Sequence, residues 1–406
     1  MSDRMPKDRL VIGAYILQPY AQTEFHIRDL AACGLDLIVN LAPKDRSVLD
    51  LLSRYGVGAI LCGVMPGWWG GNGENAGRLR LTNPPERYRE AAARYLDHPA
   101  VWGIDIGDEP SALDFPYYGE VAELVSELIP GPVPYLNLYP NYASVAANTH
   151  QQTVNQLGTR TYGEHIESYL QNVDLPYLSY DFYLYSLPEE NGVRRMLENF
   201  RTVSEGCRRT GRAFWYIPQV NSSRQEEFTS ADRLRYQGFC ALCYGASVIN
   251  WACYTGGWWY NQVLDENGEK TEQYDKLRTV NAELHAAGDV LAAYRCAGTV
   301  PLGYPYEVCP FSRDRLSFGP VQDLSVTEGQ WIAGLFEHRE RPEKKALLIL
   351  NASDPYDRTG GSGTVVLRTA EKCSLRIGNG VPEPVESDGR IRACIPVNRA
   401  LLLGFG

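Results

Sequence analysis

The sequence contains no long apolar run. No segment approaches the roughly 18 uncharged apolar residues of a membrane-spanning helix, and the opening residues, MSDRMPKDRL, lack the apolar stretch of a secretory signal. From these absences we expect a cytoplasmic protein that has no membrane as a partner.

Positive charge is also scarce. The chain has 39 Lys and Arg residues against 49 Asp and Glu residues, which leaves a formal net charge of −10. A chain of this sign repels phosphates, so we do not expect nucleic acid as a partner. A neutral partner such as a sugar is compatible with this charge.

Cysteine and histidine lack the spacings that bind metals or build disulfide frameworks. The ten Cys are scattered, and the single close pair, Cys240 and Cys243, falls in a helical pattern with no second pair nearby. The six His, at positions 26, 98, 150, 165, 285 and 338, form neither an HxH nor an HExxH spacing. We therefore expect reduced thiols, no metal and no other cofactor.

Phe and Met are few, at 11 and 4 residues, whereas Tyr and Trp are many, at 26 and 8. Tyr and Trp combine a flat apolar face with a polar group, which suits the rings of sugars. The alternative interpretation, an aromatic-rich core, applies to most of these residues.

Eight short apolar runs alternate with eight longer amphipathic stretches up to about residue 295. Strands that alternate with helices pair in parallel, and eight such units close into a (β/α)8 barrel. An open, doubly wound sheet is the alternative, but Gly13-Ala14-Tyr15 is not its usual glycine-rich phosphate turn. The predicted strands are Leu10–Leu17, Leu35–Leu41, Gly58–Val64, Val101–Asp108, Val133–Tyr139, Leu175–Tyr185, Ala213–Val220 and Ser247–Tyr254.

The helical periodicity stops after residue 296. Short strands separated by turn signals follow, over Val321–Phe336, Ala346–Leu350, Gly363–Leu367, Ser374–Ile377, Arg390–Ile395 and Ala400–Leu403. We predict the α/β fold class, with a TIM barrel over residues 1–296 and a small all-β sandwich over residues 297–406.

The fourth predicted strand ends in two adjacent carboxylates, Asp108 and Glu109, followed by Pro110. Active sites of such barrels form where strands end. Because side chains alternate along a strand, we expect Asp105, Gly107 and Glu109 on one face, with Glu109 above the barrel mouth. Restricted solvent there raises the pKa of a carboxyl group, so Glu109 is the predicted general acid. The alternative for Asp108 is an N-cap of the next helix.

The sixth predicted strand carries Asp181 between aromatic residues. A charge in that position costs free energy unless it is used or paired. We predict that Asp181 or Asp108 supplies the second catalytic function. The alternative is a buried Asp181 that holds a neighbouring Arg or Tyr.

Aromatic and amide side chains lie at the other predicted strand ends. Trp68 and Trp69 lie in a Gly- and Asn-rich loop over Gly67–Asn75, where we expect them to stack on sugar as a lid; the alternative is packing on a neighbouring loop. Together these residues predict a carbohydrate cleft. The predicted substrate-binding residues are Trp68, Trp69, Asn137, Tyr139, Asn141, Tyr180, Tyr183, Gln219, Trp251, Tyr254 and Trp258.

The chain resembles barrel glycosidases. The run Arg235–Ala246, leading into Val248–Trp251, is similar to the last helix and strand of enzymes related to glycoside hydrolase family 42 and its clan. Gly107–Pro110 is similar to the acid-bearing fourth strand of several such families. The resemblance covers roughly residues 10 to 295 and implies hydrolysis of an O-glycosidic bond in a small oligosaccharide or glycoside, with Glu109 as general acid/base.

Gln219 departs from that resemblance. It stands where members of the family 42 type place a nucleophilic Glu, and an amide cannot form the glycosyl ester. The Asp108–Glu109 pair resembles hexosaminidase families 20 and 123, in which the substrate's acetamido group attacks, the Asp orients it and the Glu protonates the leaving oxygen. Tyr180-Asp181 resembles the chitinase-type layout. Alternatively, Asp181 is the second carboxylate, about 5 Å from Glu109 in a retaining enzyme or about 6.5–9.5 Å in an inverting one.

Two functions of other classes stay open. One is a carbohydrate-binding barrel that has lost catalysis, which the amide at Gln219 motivates. The other is a sugar lyase or isomerase on the same fold. In each case a carbohydrate is the expected partner, and the sequence is compatible with a homo-oligomer.

Overall fold

The computed structural model describes residues 4–70, 75–144, 155–326, 328–378, 385–387 and 389–406. Residues 71–74 of the predicted tryptophan loop and His150 lie outside these ranges.

Eight parallel strands close into a barrel in which β1 pairs with β8. Side chains on both faces of these strands are buried, which explains why they form nearly continuous apolar runs in the sequence. The predicted (β/α)8 barrel is confirmed. The strands are β1 Val11–Tyr15, β2 Leu37–Leu41, β3 Gly58–Leu61, β4 Val101–Asp108, β5 Val133–Leu138, β6 Tyr177–Asp181, β7 Ala213–Ile217 and β8 Ala246–Trp251.

The helices surround the barrel, and several of them begin at polar caps. The side chains of Thr23, Asp45, Thr161 and Ser230 each accept a hydrogen bond from a backbone N–H in the first turn of a helix. The caps fix where each helix starts, so that it can pack back on the strands. The helices are α1 Glu24–Ala32, α2 Arg46–Arg54, α3 Leu79–Thr82, α4 Pro85–Ala92, α5 Phe115–Leu128, α6 Tyr162–Asn172, α7 Glu189–Thr210, α8 Ala231–Cys243 and α9 Glu272–Leu291.

Two five-stranded antiparallel sheets follow the barrel, in the orders β10-β11-β14-β17-β16 and β15-β18-β13-β12-β9. Apolar side chains of both sheets form one core between them, as predicted for a sandwich. The strands are β9 Tyr294–Leu302, β10 Arg315–Phe318, β11 Val321–Val326, β12 Trp331–His338, β13 Lys345–Asn351, β14 Ser362–Thr369, β15 Cys373–Gly378, β16 Val385–Ser387, β17 Arg390–Pro396 and β18 Ala400–Phe405.

The strand predicted over Val321–Phe336 is wrong, because this segment contributes β11 to one sheet and β12 to the other. Gly329, with a φ of +81°, lies between the two strands and lets the chain change sheets. β9, β10 and β16 were not predicted. β9 has only three buried residues and β10 and β16 are very short, so none shows a strong apolar pattern.

Helix α8 joins the barrel to the sandwich. It packs against β8 on one side and against β12 and β13 on the other. Cys243 lies in this contact, and its thiol donates to the carbonyl oxygens of Ile332 and Leu348, both at 3.6 Å. The pair Cys240 and Cys243 therefore packs an interface, and all ten Cys are free thiols. None of the described helices combines the length and apolar character needed to cross a membrane.

Candidate functional site

Four carboxylates converge where the barrel strands end. Asp108 is the last residue of β4 and Glu109 follows it, while Asp181 is the last residue of β6. Asp105 lies deeper on β4 and faces the same interior. Asp181 is buried, and Glu109 is partly open to the barrel mouth.

A β-bulge determines which side chains of β4 point inward. The pairing of β4 with β5 shifts register between Asp105 and Gly107, so Asp105 and Asp108 both face the barrel interior. The prediction that Gly107 shares this face is wrong. A Cβ at Gly107 would lie 2.0 Å from the hydroxyl of Tyr118 on α5, so Gly107 makes room for that helix and not for a ligand.

Glu109 leaves the strand with a left-handed backbone. Its φ is +44°, and its N–H donates to the carbonyl oxygen of Asn137 at 2.9 Å. This conformation turns the side chain towards the cleft, where Trp69 Nε1 donates to Glu109 Oε2 at 2.9 Å. The N-cap alternative for Asp108 is wrong, because Ser111 caps the short 3-10 helix that precedes α5.

Asn137 on β5 lies between two of the carboxylates. Its Nδ2 donates to Asp181 Oδ1 at 2.8 Å and to Asp108 Oδ1 at 3.2 Å. Its Oδ1 accepts from Ser179 Oγ at 3.0 Å, and the network continues from Ser179 to the hydroxyl of Tyr135. The hydroxyl of Tyr135 in turn contacts that of Tyr15 on β1.

The site favours protonated carboxyl groups. Burial, and then the charge of Asp108, raises the pKa of Asp181 and of Asp105 to about 7 each. Asp108 opens to the cleft, but the protein packed around its other sides desolvates it and raises its pKa to about 6. Burial, Asp181 and Asp108 together raise the pKa of Glu109 well above its usual range. The raised pKa favours the protonated form of Glu109, which is the form that can donate a proton.

No salt bridge among the described residues includes any of these four carboxylates, so their charges are not neutralised by Lys or Arg. Within the same ranges, no group of three or more His, Cys, Asp or Glu side chains is placed to hold a metal ion. Carboxyl groups in this setting can transfer protons, stabilise positive charge or act as nucleophiles.

Aromatic side chains line the mouth beside the carboxylates. Trp69 is 50% exposed, and Trp258 packs edge-on against Tyr15 at 6.1 Å between ring centroids. Tyr183 lies between Trp258 and Trp259, at 6.2 and 5.0 Å. Trp69, Trp258 and Tyr183 were predicted here.

Two aromatic residues near the carboxylates are absent from the predicted substrate-binding set, although Tyr142 belongs to the polar run after the fifth predicted strand. Tyr142 lies close enough to Asp181 and Glu109 for their charges to raise its pKa, after the larger effect of burial. Tyr15 ends β1, so its place at a strand end was the signal that could have identified it. Tyr142 lies in the loop after β5 and gives no comparable signal.

Three aromatic residues predicted to bind substrate do not reach the cleft. Trp251 is fully buried and its Nε1 donates to Asn281 on α9 at 2.9 Å. Tyr180 packs against Phe214 in the layer outside the barrel strands, and Tyr254 is also fully buried. These predictions are wrong; for Tyr180 the reason is that it neighbours Asp181, and consecutive residues of a strand point to opposite faces.

The predicted amides Asn141 and Gln219 serve the scaffold. Asn141 Nδ2 donates to the carbonyl oxygen of Arg195 on α7 at 2.8 Å, which directs it away from the cleft. Gln219 is buried; its Oε1 accepts from the N–H of Tyr185 at 2.9 Å, and its Nε2 donates to the carbonyl oxygen of Asn221 at 3.2 Å. Both ends of the Gln219 amide are therefore used within the protein.

The loop after β3 rests on the end of β4. Trp68 is half-buried, its carbonyl oxygen accepts from the N–H of Asp108 at 2.9 Å, and the N–H of Gly70 donates to the Asp108 carbonyl at 3.1 Å. A Cβ at Gly70 would lie 1.8 Å from the carbonyl oxygen of Glu109 and 2.7 Å from the hydroxyl of Tyr139. The buried Tyr139 therefore supports this loop from below.

One large cavity does not coincide with the carboxylates. It has a volume of about 600 Å³ and lies between α2 and α4, where its walls include Leu49, Met65 and Arg94. A much smaller cavity of about 30 Å³ lies beneath the cleft, between Asp105, Asp108 and Tyr135. We place the site at the strand ends because the groups that can perform chemistry are there.

No protein-family model matches the sequence, and no curated protein matches it. Solved structures that are similar to this chain include a family 51 α-L-arabinofuranosidase from Bifidobacterium longum, 11% identical with a TM-score of 0.49 over 100% of this chain and 98% of that chain. A putative α-L-fucosidase from Bacteroides thetaiotaomicron is 12% identical, with a TM-score of 0.49 over 68% and 94%. An endo-β-1,4-mannanase from Thermotoga petrophila is 8% identical, with a TM-score of 0.46 over 97% and 98%.

These neighbours are named as an arabinofuranosidase, a putative fucosidase and a mannanase, and none of their names mentions family 42, 20 or 123. At this level of similarity, the substrates of the neighbours belong to those proteins, and the function of this chain has to be argued from its own site.

Proposed function

We propose that the protein hydrolyses an O-glycosidic bond in a small oligosaccharide or glycoside, with Glu109 as general acid/base. One observation carries this proposal: Glu109 lies at a strand end, open to the mouth, with a pKa raised by burial and by Asp181 and Asp108. A raised pKa lets a carboxyl group keep its proton to higher pH, and a proton on the acid is what a leaving glycosidic oxygen requires.

In the proposed reaction, Glu109 gives its proton to the glycosidic oxygen while the bond from the anomeric carbon to that oxygen breaks. In a retaining reaction, the ionised Glu109 then takes a proton from the water that attacks the anomeric carbon of the intermediate, which restores the acid; in an inverting reaction, Asp108 or Asp181 takes that proton instead. Asp108 or Asp181 supplies the second function. That residue acts directly on the anomeric carbon or on the water that attacks this carbon. Alternatively, it orients an acetamido group of the substrate, which then attacks the anomeric carbon instead of a carboxylate.

Sugar rings would stack on the aromatic side chains at the mouth. Trp69 combines an exposed face with a hydrogen bond to Glu109, and Trp258 and Tyr183 lie on the side of β8 and β6. We propose that residues 1–296 form the catalytic unit and that residues 297–406 support it. The ten free thiols favour a reducing compartment, which supports the cytoplasm as the site of action.

The test compares wild type with Glu109→Gln on a panel of aryl glycosides that includes N-acetylated and non-acetylated sugars. We expect kcat to fall by roughly 10² or more, because the amide cannot donate the proton. Glu120→Gln is the matched control, since Glu120 is exposed on α5 and pairs with Arg80, away from the cleft. Equal rates for wild type and Glu109→Gln, or a product without a new reducing end, would contradict the proposal.

A second candidate is a barrel that binds carbohydrate without turning it over. The observation that favours it is Gln219, since β7 is followed by an amide engaged in the scaffold and not by a carboxylate. Oligosaccharide binding without any product would support this candidate, and slow turnover abolished by Glu109→Gln would exclude it. An unsaturated or isomerised product would instead identify a lyase or an isomerase.

A further inference from the structure

Both amide hydrogens of the Asn137 side chain are donated within the protein, so neither can bind a substrate. An amide nitrogen carries two hydrogens, and Asn137 Nδ2 directs them to two different carboxylates, Asp181 and Asp108. Because both carboxylate oxygens contact one nitrogen, they lie no farther apart than the sum of the two hydrogen-bond lengths. Asn137 itself is buried, with 4% of its surface exposed.

Ser179 fixes the orientation of this amide. Its hydroxyl donates to Asn137 Oδ1 at 3.0 Å, so the oxygen faces Ser179 and the nitrogen faces the carboxylates. The hydroxyl of Tyr135 lies 3.3 Å from Ser179 Oγ and supports it from below. A rotated amide would place its oxygen against the two carboxylates, where the negative charges would repel it.

The backbone of the same residue holds the third acid. The carbonyl oxygen of Asn137 accepts from the N–H of Glu109, and Asn137 is paired in the sheet with Asp108 and Ser179. One residue of β5 therefore touches Asp108, Glu109 and Asp181, which come from two other strands.

We propose that Asn137 is a positioning residue that holds Asp108 and Asp181 together as one interacting pair, instead of binding sugar hydroxyls as its place at a strand end suggested. This inference rests on the proposed function of the site. Two negative carboxylates this close repel each other, and hydrogen bonds from one shared donor favour their charged forms. Without the amide, the two groups would separate or hold their protons more tightly.

The experiment is a pH titration of the full-length protein labelled with ¹³C at the Asp carboxyl carbons, read by NMR without any substrate. Asp108→Asn and Asp181→Asn identify the two signals by their disappearance. In Asn137→Leu, which keeps a similar volume, we expect both midpoints to move to higher pH by about one unit, because each carboxylate loses a charge-assisted hydrogen bond. Ser179→Ala, a milder change, should move them in the same direction by less.

Asn281→Leu is the matched control, since Asn281 is an equally buried amide that bonds Trp251 and the carbonyl oxygen of Cys33 and none of the carboxylates. It should leave both midpoints in place. If Asn137→Leu and Ser179→Ala also leave them in place, the inference is overturned. If Asn137→Leu does not fold, Ser179→Ala alone decides.

Kinetics separate this inference from the proposed function. With an active aryl glycoside, Asn137→Leu should lower kcat more than it raises KM and should move the acidic limb of the pH profile upward. A residue that merely bound the sugar would raise KM and leave that limb unchanged. Glu109→Gln, assayed alongside, tests the proposed function itself. Wild-type turnover by Glu109→Gln would reject glycoside hydrolysis by Glu109, while the NMR result for Asn137 would stand.

Discussion

Two buried aspartates, one in each part of the molecule, differ in the hydrogen bonds and neighbouring charges that surround them. Asp181 at the barrel mouth is 4% exposed, and Asp354 in the β domain is 6% exposed. Burial alone would raise the pKa of Asp354, but its carboxylate accepts hydrogen bonds from the N–H groups of Arg358, Thr359 and Gly360, and its pKa is lowered. Asp181 accepts one side-chain hydrogen bond and lies beside Asp108, and its pKa is raised to about 7.

The difference separates a structural carboxylate from one available for chemistry. The loop around Asp354 provides donors for the charged form, which makes the ionised carboxylate part of the fold. At the barrel mouth the fold provides few donors and several negative neighbours, so the charged form is costly and protons are held near neutral pH. A buried carboxylate that has few hydrogen-bond donors and several negative neighbours is thus the feature that marks the candidate site.

The largest expected effect is on activity. In Asp181→Asn, kcat should fall by roughly 10² or more, because the second catalytic function is lost or disturbed. Thermal unfolding at pH 7 should occur at the same temperature as in wild type or higher, since a costly buried charge is removed. Steady-state kinetics and calorimetry on one preparation check both. A lower unfolding temperature with full activity would show that Asp181 is a structural carboxylate like Asp354, which would contradict the difference drawn between the two residues.

Asp354→Asn should show the reverse pattern. The neutral side chain loses charge-assisted hydrogen bonds from backbone N–H groups, so the free energy of unfolding should fall by about 2 kcal/mol at pH 7. Denaturant unfolding measures this loss. Activity per folded molecule should stay at the wild-type level, because Asp354 belongs to the β domain and not to the barrel mouth.

The pH dependence of stability should also have opposite signs at the two positions. For Asp181 the folded pKa lies above the unfolded value, so ionisation destabilises the fold as pH rises from about 4 through about 7. Asp181→Asn should therefore be as stable as wild type near pH 4 and increasingly more stable than wild type towards pH 8. For Asp354 the folded pKa is lowered, so its contribution is present at neutral pH and is lost as pH falls below about 4. Urea midpoints measured across this range test both signs.

The smallest effect is expected at Trp69. Trp69→Phe removes the indole N–H that donates to Glu109. This hydrogen bond favours the ionised carboxylate, so its loss should raise the pKa of Glu109 further and move the alkaline limb of the pH profile to higher pH. The loss of kcat at the optimum should be roughly fivefold or less, as for one hydrogen bond. Trp68→Phe should leave that limb in place, because Trp68 Nε1 has no hydrogen-bond partner among the described residues.

The barrel and its carboxylate-bearing strand ends could be predicted from the sequence. Parallel strands buried on both faces leave continuous apolar runs, and the polar residues at their ends, such as Glu109 and Asp181, interrupt those runs visibly. Tyr180 could also have been excluded, since it neighbours Asp181 and consecutive residues of a strand face opposite sides.

Other features depend on partners that are distant in sequence. The bulge between Asp105 and Gly107 arises in the pairing with β5 and turns Asp108 inward, and no property of β4 alone indicates it. The role of Asn137 depends on two carboxylates from β4 and β6 and on a hydroxyl from β6. Gln219 could not be assigned either, because its partners are backbone groups of loops.

The left-handed backbone at Glu109 has a consequence for laboratory evolution. A non-glycine residue at a φ of +44° carries strain of about 1 kcal/mol or more, which glycine would release. Glycine would also remove a carboxyl group whose charged form the surrounding protein destabilises. A library selected for heat resistance alone should therefore enrich Glu109→Gly, and the proposed role of Glu109 predicts that its survivors are inactive. Selection on this protein needs an activity step at every round, because at this position stability and function favour different amino acids.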